Sequence, residues 1–430
     1  MYTWGNDMPR MKLAASILLC GLVTSALAID MSNDTYVDIS EYLEELYGID
    51  PNEGLTTLPT LNVPMGGRAE GMGTAFSAVS DDASFIEWNP AGSSRLQSTE
   101  LAFYHNNWIA DSKVEGAVFA TRLGELGLAA SGKWLYLPFT EYDEYGDRAS
   151  KGYYSEAVAT LNASYNLLAG YYFAGLSVGA NLKGAFRLMP DYSDDAGNVI
   201  AGSGKSQSVF APMADLGVLT RFNVLKFYQA REKNASAAIV FKNVGPPALD
   251  EPLPTAVTAG VAYKPIRPLL IAFDYSIPIN LQDPALSERH YWAFGLSTTV
   301  TKFLTMRTGL LAKGTNMRFT IGSAVTLMGL DIDINYTLDL LTQLQPLNRV
   351  SLGARFSLGD GGRAEKSKKV DELYLRGLEE YANGNLDEAV RYWEEALALD
   401  KGFDPAREGL QTIKDARALE RRIDDIRRLE

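Results

Sequence analysis

The sequence predicts an all-β transmembrane barrel of about 14 antiparallel strands, with an N-terminal plug and a small C-terminal α-helical domain. Three observations lead there. Apolar and polar residues alternate in one segment after another, connections between segments alternate between short and long, and after the N-terminus no apolar run is long enough for a helical span.

The chain begins with an export signal. From Met11 it reads MKLAASILLCGLVTSALA, with Arg10 and Lys12 as the basic end, a short apolar core, and Ala26-Leu27-Ala28 as a small-x-small cleavage site, so residues 1–28 are assigned to a signal peptide. The apolar core is too short for a comfortable membrane anchor. Cys20, the sole cysteine, lies inside that core, and Leu19 stands where a lipoprotein needs a small residue, which disfavours acylation. Without the signal the chain has no thiol, so stability comes from packing or from a closed hydrogen-bonded sheet. A net charge of −13 and the lack of a Lys/Arg cluster exclude nucleic acid as a partner.

Residues 29–95 are assigned to an N-terminal periplasmic segment and a hatch. Within them, 58–95 is rich in small residues and stands immediately before the alternating array, as a plug would. A plug needs Gly and Ala so that its backbone passes close to the wall, and polar residues to bond lumen groups. Asp82 and Asn89 are candidate anchors and Pro90 fixes a bend. Gly71, Gly73 and Pro90 either shape the segment or gate it.

The barrel is assigned to 96–360, with strands near 99–109, 113–122, 125–137, 152–168, 171–187, 208–223, 234–244, 253–264, 268–277, 289–300, 303–313, 316–328, 330–339 and 348–358. In 330–339 every even position is apolar and every odd one polar, which puts one set outward and the other inward. The same alternation runs through 155–167 and 172–188. If the first strand runs outward, the connections after even strands are the periplasmic ones and should be short. Those at 169–170, 264–268, 301–302 and 328–329 are, while 138–151, 189–207 and 278–287 are long; 223–233 is the exception. A soluble sandwich or propeller also alternates. Aromatics at segment ends (Tyr153, Tyr154, Tyr171, Tyr172, Tyr291, Trp292) and charges at mid-strand favour the barrel. Lys183, Arg187, Arg307, Arg318 and Arg355 face inward, where they either receive a ligand carboxylate or pair with Asp331, Asp333 and Asp339 across the lumen.

After a linker at 361–369 the composition turns charged and helical over 370–430. That region resembles one tetratricopeptide repeat, with Leu373, Gly377, Gly384, Ala389, Trp393, Ala396 and Leu399 at matching positions and departures at Arg376, Glu380 and Lys401. A single repeat cannot bury its face alone, and the helix from Pro405 caps it. An even strand number returns the chain to the periplasm, where Leu373, Gly377, Ala389, Trp393 and Ala396 are candidates for a repeat that binds a periplasmic protein.

The opening segment carries a family resemblance. Gly66-Gly67-Arg68-Ala69, Gly71-Met72-Gly73-Thr74-Ala75-Phe76, Asp81-Asp82-Ala83-Ser84 and Trp88-Asn89-Pro90-Ala91-Gly92 resemble the N-terminal hatch of FadL-type long-chain fatty acid transporters and their PorV-like relatives. The 351–358 stretch, with Ser351, Gly353, Phe356 and Leu358, also resembles the closing strand of outer-membrane barrels. The resemblance implies a fourteen-stranded barrel in outer-membrane lipid, plugged by Gly66, Gly67, Arg68, Gly71, Gly73, Asp82, Asn89 and Pro90. It implies passive uptake of hydrophobic molecules, long-chain fatty acids above all, with Lys183, Arg187 and Arg318 as candidate carboxylate contacts. The alternative is a non-conducting surface or secretion-adaptor protein of the PorV-like kind, recruiting partners through its tail. No catalytic, cofactor or metal site is expected. His105 and His290 lack metal spacing or a Ser/His/Asp set, and Gly71-Met72-Gly73 lacks a preceding strand and a third glycine.

Overall fold

The computed structural model describes residues 50–428, apart from 110, 143–144, 147, 192–198, 315 and 341–346. The expected signal peptide and residues 29–49 lie outside the described residues. From Asn52 onward the chain forms one compact unit.

Fourteen strands among the described residues close into one antiparallel barrel. They are β1 (Glu100–Asn107), β2 (Lys113–Leu123), β3 (Leu126–Tyr142), β4 (Arg148–Leu167), β5 (Leu176–Leu188), β6 (Val209–Phe222) and β7 (Ala235–Val244). The second half is β8 (Ala256–Ile266), β9 (Leu269–Pro278), β10 (Tyr291–Thr299), β11 (Leu304–Lys313), β12 (Asn316–Leu327), β13 (Leu330–Asp339) and β14 (Leu347–Ser357). Each strand pairs with its sequence neighbours, and β1 closes on β14 from Glu100↔Ser357 to Asn106↔Ser351. Closure gives each strand a neighbour on both sides, so the paired backbone of the wall is satisfied without water.

Alternation sets the two faces. On β13, Ile332, Ile334 and Tyr336 point out and are exposed, while Asp333, Asn335, Thr337 and Asp339 point in and are buried. The same holds around the wall, with Phe119, Leu161, Phe210, Ile239, Phe294 and Ile321 all exposed outside. A soluble protein carries its apolar residues inside; here the polar set is inside, as hydrocarbon around the barrel requires.

The lumen is filled by residues 58–96. They form two short helices, α1 (Gly67–Gly71) and α2 (Phe85–Trp88), and two 3-10 turns, Pro59–Leu61 and Pro90–Arg95. Ala69, Met72, Phe76, Phe85, Ala91 and Leu96 are fully buried against the wall. The plug enters from the long-loop end, where Asn52 Nδ2 donates to Ser287 O at 3.0 Å, and leaves at the short-turn end into β1. The N-terminal segment expected on the short-turn, periplasmic side is therefore at the opposite mouth from Asn52 onward.

Three further boundaries differ from expectation, the first at the β3–β4 loop expected over 138–151, where the hairpin pairing runs on to Tyr142↔Arg148 and leaves a short connection. The β4–β5 connection is longer than 169–170, because Leu168 (φ 55) and Gly175 (φ 93) turn the chain early and β5 begins at Leu176. Tyr171 and Tyr172 thus leave the aromatic girdle. The linker is also shorter: α3 (Arg363–Ala382) starts at Arg363, because the Asp360 carboxylate accepts from Ala364 N at 2.7 Å and Gly362 N at 3.0 Å and caps the first turn.

α4 (Leu386–Leu399) and α5 (Asp404–Arg427) complete the tail. Its core gathers on Trp393, whose ring fills the space above Gly377 and Gly409 and whose Nε1 donates to Tyr374 O at 3.2 Å. The tail docks on the short turns. Tyr171 stacks edge-on to Phe403 at 5.2 Å, Tyr171 N donates to Gly402 O at 3.1 Å, and Arg231 pairs with Asp371 at 3.2 Å. Arg231 comes from the β6–β7 connection, the one that is too long for its side of the barrel; its extra length carries the tail contact.

Candidate functional site

The plug meets the wall through missing side chains. A Cβ at Gly309 would fall on Gly73, one at Gly179 or Gly217 on Pro90, one at Gly127 on Ser93 and Ser94, and one at Gly295 would lie 2.6 Å from Met72 O. These wall glycines sit on β11, β5, β6, β3 and β10, so a belt of bare backbone runs round the lumen where the plug crosses it. On the plug side, Gly67 (φ 73) and Gly73 (φ 62) adopt left-handed backbone at the crossing, which a side chain disfavours.

Between these approaches lumen side chains bond several of the plug's backbone groups, which keeps those buried amides satisfied, while Trp88 Nε1 and Arg95 Nε have no hydrogen-bond partner among the described residues. Asp274 accepts from Phe76 N at 3.0 Å and Ser77 N at 2.9 Å, Asn335 donates to Gly67 O at 2.8 Å, and Asn162 donates to Pro90 O at 2.9 Å. Asp82 sits between Arg68 (3.2 Å) and Arg355 (2.9 Å), and Arg355 also binds Asp331. Asn89 accepts from Ala91 N at 2.9 Å, capping the second 3-10 turn, and donates to Ser77 O at 2.8 Å, while Pro90 opens that turn. A Cβ on Gly66 would lie 3.1 Å from Ser351 Cβ and one on Gly71 2.5 Å from Asn335 Oδ1. Seven of the eight hatch positions are therefore at the plug–wall contact, and Arg68 braces the plug from within through Asp81 and Asp82.

The inward cations mostly have counter-ions. Lys183 binds Asp215 at 2.6 Å, Arg187 binds Glu156 at 3.1 Å, Arg318 binds Asp339 at 2.7 Å, and Arg307 pairs with Asp333. Arg349 bridges Glu70 of α1 (2.9 Å) to Asp339 (2.8 Å) and lies 4.1 Å above the Trp108 ring. Lys183, Arg187 and Arg318 are thus engaged with wall carboxylates. Lys242 on β7 is different. Among the described residues it has no ion pair, as is also true of Arg221 on β6 and Arg95 of the plug, which donate to Val79 O and Ala174 O, and the Lys242 Nζ lies 4.5 Å from the centre of the Trp88 ring.

Lys242 and Trp88 line a cavity of about 510 Å³ at the long-loop end of the lumen, above the plug, together with Trp108, Pro64, Tyr291 and Leu311. Glu53, Glu87, Glu288, Lys313 and Arg318 line it as well, so apolar surface and charged groups meet there, as a small-molecule site with an ionic end requires. Sequence reasoning missed Lys242, Trp88 and Trp108. A signal existed for the first: in β7 the inward set is Ser236, Ala238, Val240 and Lys242, a lone charge ending a small, neutral row.

In the tail, Leu373, Ala389, Trp393 and Ala396 are buried in the helical core, and Gly377 gives Trp393 its space. They hold the hairpin together and offer no surface to a partner. No cluster of metal-ligating residues occurs among the described residues. His105 Nδ1 lies 2.8 Å from Glu115 Oε1, and the His290 ring packs 5.5 Å from that of Tyr275.

A closed fourteen-stranded barrel with an apolar exterior, a polar lumen and an internal plug is a transmembrane β-barrel of the plugged class. Within that class the chain belongs to the family described as "Uncharacterised protein family (UPF0164)", whose model matches residues 50–361. A UPF0164 protein of Treponema pallidum (strain Nichols) is 30% identical over 370 residues, covering 82% of this chain and 81% of the relative. A second from the same organism is 27% identical over 395 residues, covering 85% and 77%. Among solved structures, the chain is similar to the CymD monoaromatic hydrocarbon channel, with 13% identity, a TM-score of 0.47, and coverage of 68% of this chain and 97% of that one. It is also similar to a Pseudomonas aeruginosa FadL homologue, with 9% identity, a TM-score of 0.41, and coverage of 67% and 97%.

Proposed function

We propose that this protein is an outer-membrane barrel for passive uptake of hydrophobic small molecules, long-chain fatty acids above all, with its helical tail in the periplasm. The observation that supports the reading is the cavity above the plug, where Lys242, without an ion pair among the described residues, stands among Trp88, Trp108 and Leu311 and shares the lining with Glu53, Glu87, Glu288, Lys313 and Arg318. A fatty acid has the matching form, with an apolar chain for Trp108 and Leu311 and an acidic head for Lys242. Lys183, Arg187 and Arg318 are already held by Asp215, Glu156 and Asp339, so Lys242 takes the lead in the role first expected of them, with Arg318 lining the same cavity. The glycine belt below the cavity is where passage is controlled, and the plug must shift or thin there for a ligand to pass.

Proteoliposomes given labelled oleate from outside test this. Uptake above that of empty liposomes, lowered by Lys242→Met, is the expected result; uptake equal to that of empty liposomes would sink the reading.

A second reading, a non-conducting surface or secretion adaptor that recruits a periplasmic protein through a tetratricopeptide-like tail, draws support from how extensively the plug is bonded to the wall. It predicts no oleate uptake, together with a co-purifying protein that is lost when residues 363–430 are removed.

A further inference from the structure

The outer wall carries a trench that the lumen chemistry does not use. Register places Phe103, Ala117, Gly132, Ala159, Gly184 and Pro212 directly opposite one another across β1 to β6. From Ala117 to Pro212 this is a row of five small or short residues facing out on consecutive strands. Two residues toward the short turns, the parallel row holds Phe119, Leu161 and Leu182; two residues toward the long loops, it holds Trp134, Phe186 and Phe210. All six of these large side chains are exposed. A Cβ at Gly132 would meet nothing within 4 Å, so the floor of the trench is open there. The groove appears as two adjoining hollows of about 600 and 530 Å³ that share Ala117, Gly132, Ala159 and Phe186.

Dimensions select the occupant. Five strands about 4.8 Å apart make the row about 19 Å long, open at Gly132 and narrowed at Gly184, where the Phe210 ring lies 2.8 Å from the place of a Cβ. Its rims are four residues apart along each strand, about 13 Å between backbones, and the rim side chains fill much of that width. A helix about 10–12 Å across does not enter such a slot, and the convex wall of a second barrel spans it without filling it. A single polymethylene chain fits along it. The row holding Trp134 ends, on β1 and β2, in the His105–Glu115 pair at 2.8 Å, which borders the exposed Asn107–Lys113 pair toward the long loops and marks where the apolar outer face gives way to polar groups. An imidazole beside a carboxylate complements the phosphate and ammonium of a zwitterionic head group.

We propose that this trench binds one acyl chain of a membrane phospholipid as a held ligand, with the head group at His105 and Glu115. The inference rests on the barrel spanning a membrane and is independent of what passes through the lumen.

The test is lipid retention. The full chain is purified from membranes and exchanged through detergent, and phospholipid per barrel is counted by native mass spectrometry and by extraction. Wild type is expected to keep about one phospholipid. Gly132→Leu and Gly132→Leu/Ala159→Leu, which fill the floor where space is open, should lower retention several-fold while heat-modifiable gel mobility reports an intact barrel. His105→Ala/Glu115→Ala should keep the lipid but lose its head-group preference. Equal retention in wild type and the filled variants, no retention in wild type, or free fatty acid in place of phospholipid would each overturn the proposal. A head-group preference unchanged in the double alanine variant would overturn the assignment of the rim.

Discussion

Gly73 of the plug and Gly309 of β11 touch backbone to backbone, with Gly73 N and Cα occupying the place of any Cβ at position 309. Gly309→Ala is expected to push the plug off the wall, at the cost of about 1–3 kcal/mol typical of overpacking. The barrel ladder itself should persist, since Gly309 keeps its pairing with Gly295 and Thr320. Limited proteolysis in detergent reads the result: cleavage within 62–80 should appear while the barrel band stays folded. A plug as resistant as wild type would show that the contact has slack.

Arg349 ties α1 to the wall through Glu70 and Asp339, with all three side chains at most 4% exposed. Arg349→Met leaves Glu70 buried without its cation, a change that ordinarily costs about 3–5 kcal/mol. The temperature at which the folded gel band disappears should fall. Adding Glu70→Leu should restore much of the loss, because the uncompensated charge goes with it. No recovery in the double variant would mean the destabilisation has another source.

Lys242→Met should weaken binding of an acidic amphiphile and leave its neutral alcohol unaffected. A charge-assisted hydrogen bond contributes about 1.5–3 kcal/mol, or about 10- to 150-fold in Kd. Fluorescence titration with oleate and oleyl alcohol separates the cases. An equal loss for both ligands would assign Lys242 to packing.

The tail should stay docked after Arg231→Ala alone. The Arg231–Asp371 pair is about half exposed on both sides, and such pairs contribute less than about 1 kcal/mol. Tyr171→Ala should loosen it more, because it removes the ring that packs on Phe403. Protease access at 358–363 measures both variants, and the reverse order would make the ion pair the main tether.

Asp360 links barrel to tail chemically. Hydrogen bonds from Ala364 N and then Gly362 N hold its carboxyl below the ordinary carboxylate range. A depressed acid stabilises the folded form fully above its unfolded pKa, near 4, and loses that contribution as pH falls through the lower folded value. Amide protection at the start of α3 should therefore hold from neutral pH down to about 4 and decline below. Asp360→Ala should show the reduced protection at every pH. Protection independent of both pH and the substitution would exclude the cap.

Much of the barrel was legible because alternation of period two reports one face of a strand directly. The charge pairs Arg307–Asp333, Arg318–Asp339 and Arg355–Asp331 join residues whose inward positions the sequence already marks. Lys183 and Arg187 found Asp215 and Glu156 instead, partners that no linear pattern singles out. Tyr171 and Tyr172 misled for a related reason: aromatics at a strand end suit a membrane interface and a helix-docking surface equally well. The cavity was not legible at all, since Trp88 in the plug, Trp108 in a turn and Lys242 on β7 converge only after the barrel closes.

By itself the sequence determined which residues face lipid, the approximate number of strands and the presence of a small-residue plug. Each of these follows from local composition and a repeat of two. Only the tertiary structure decided where the plug crosses the wall, which cations lack a counter-ion and what the long β6–β7 connection holds. Those depend on register between strands distant in sequence, and a one-residue slip in any ladder would turn glycines of the belt outward and carry Lys242 out of the lumen.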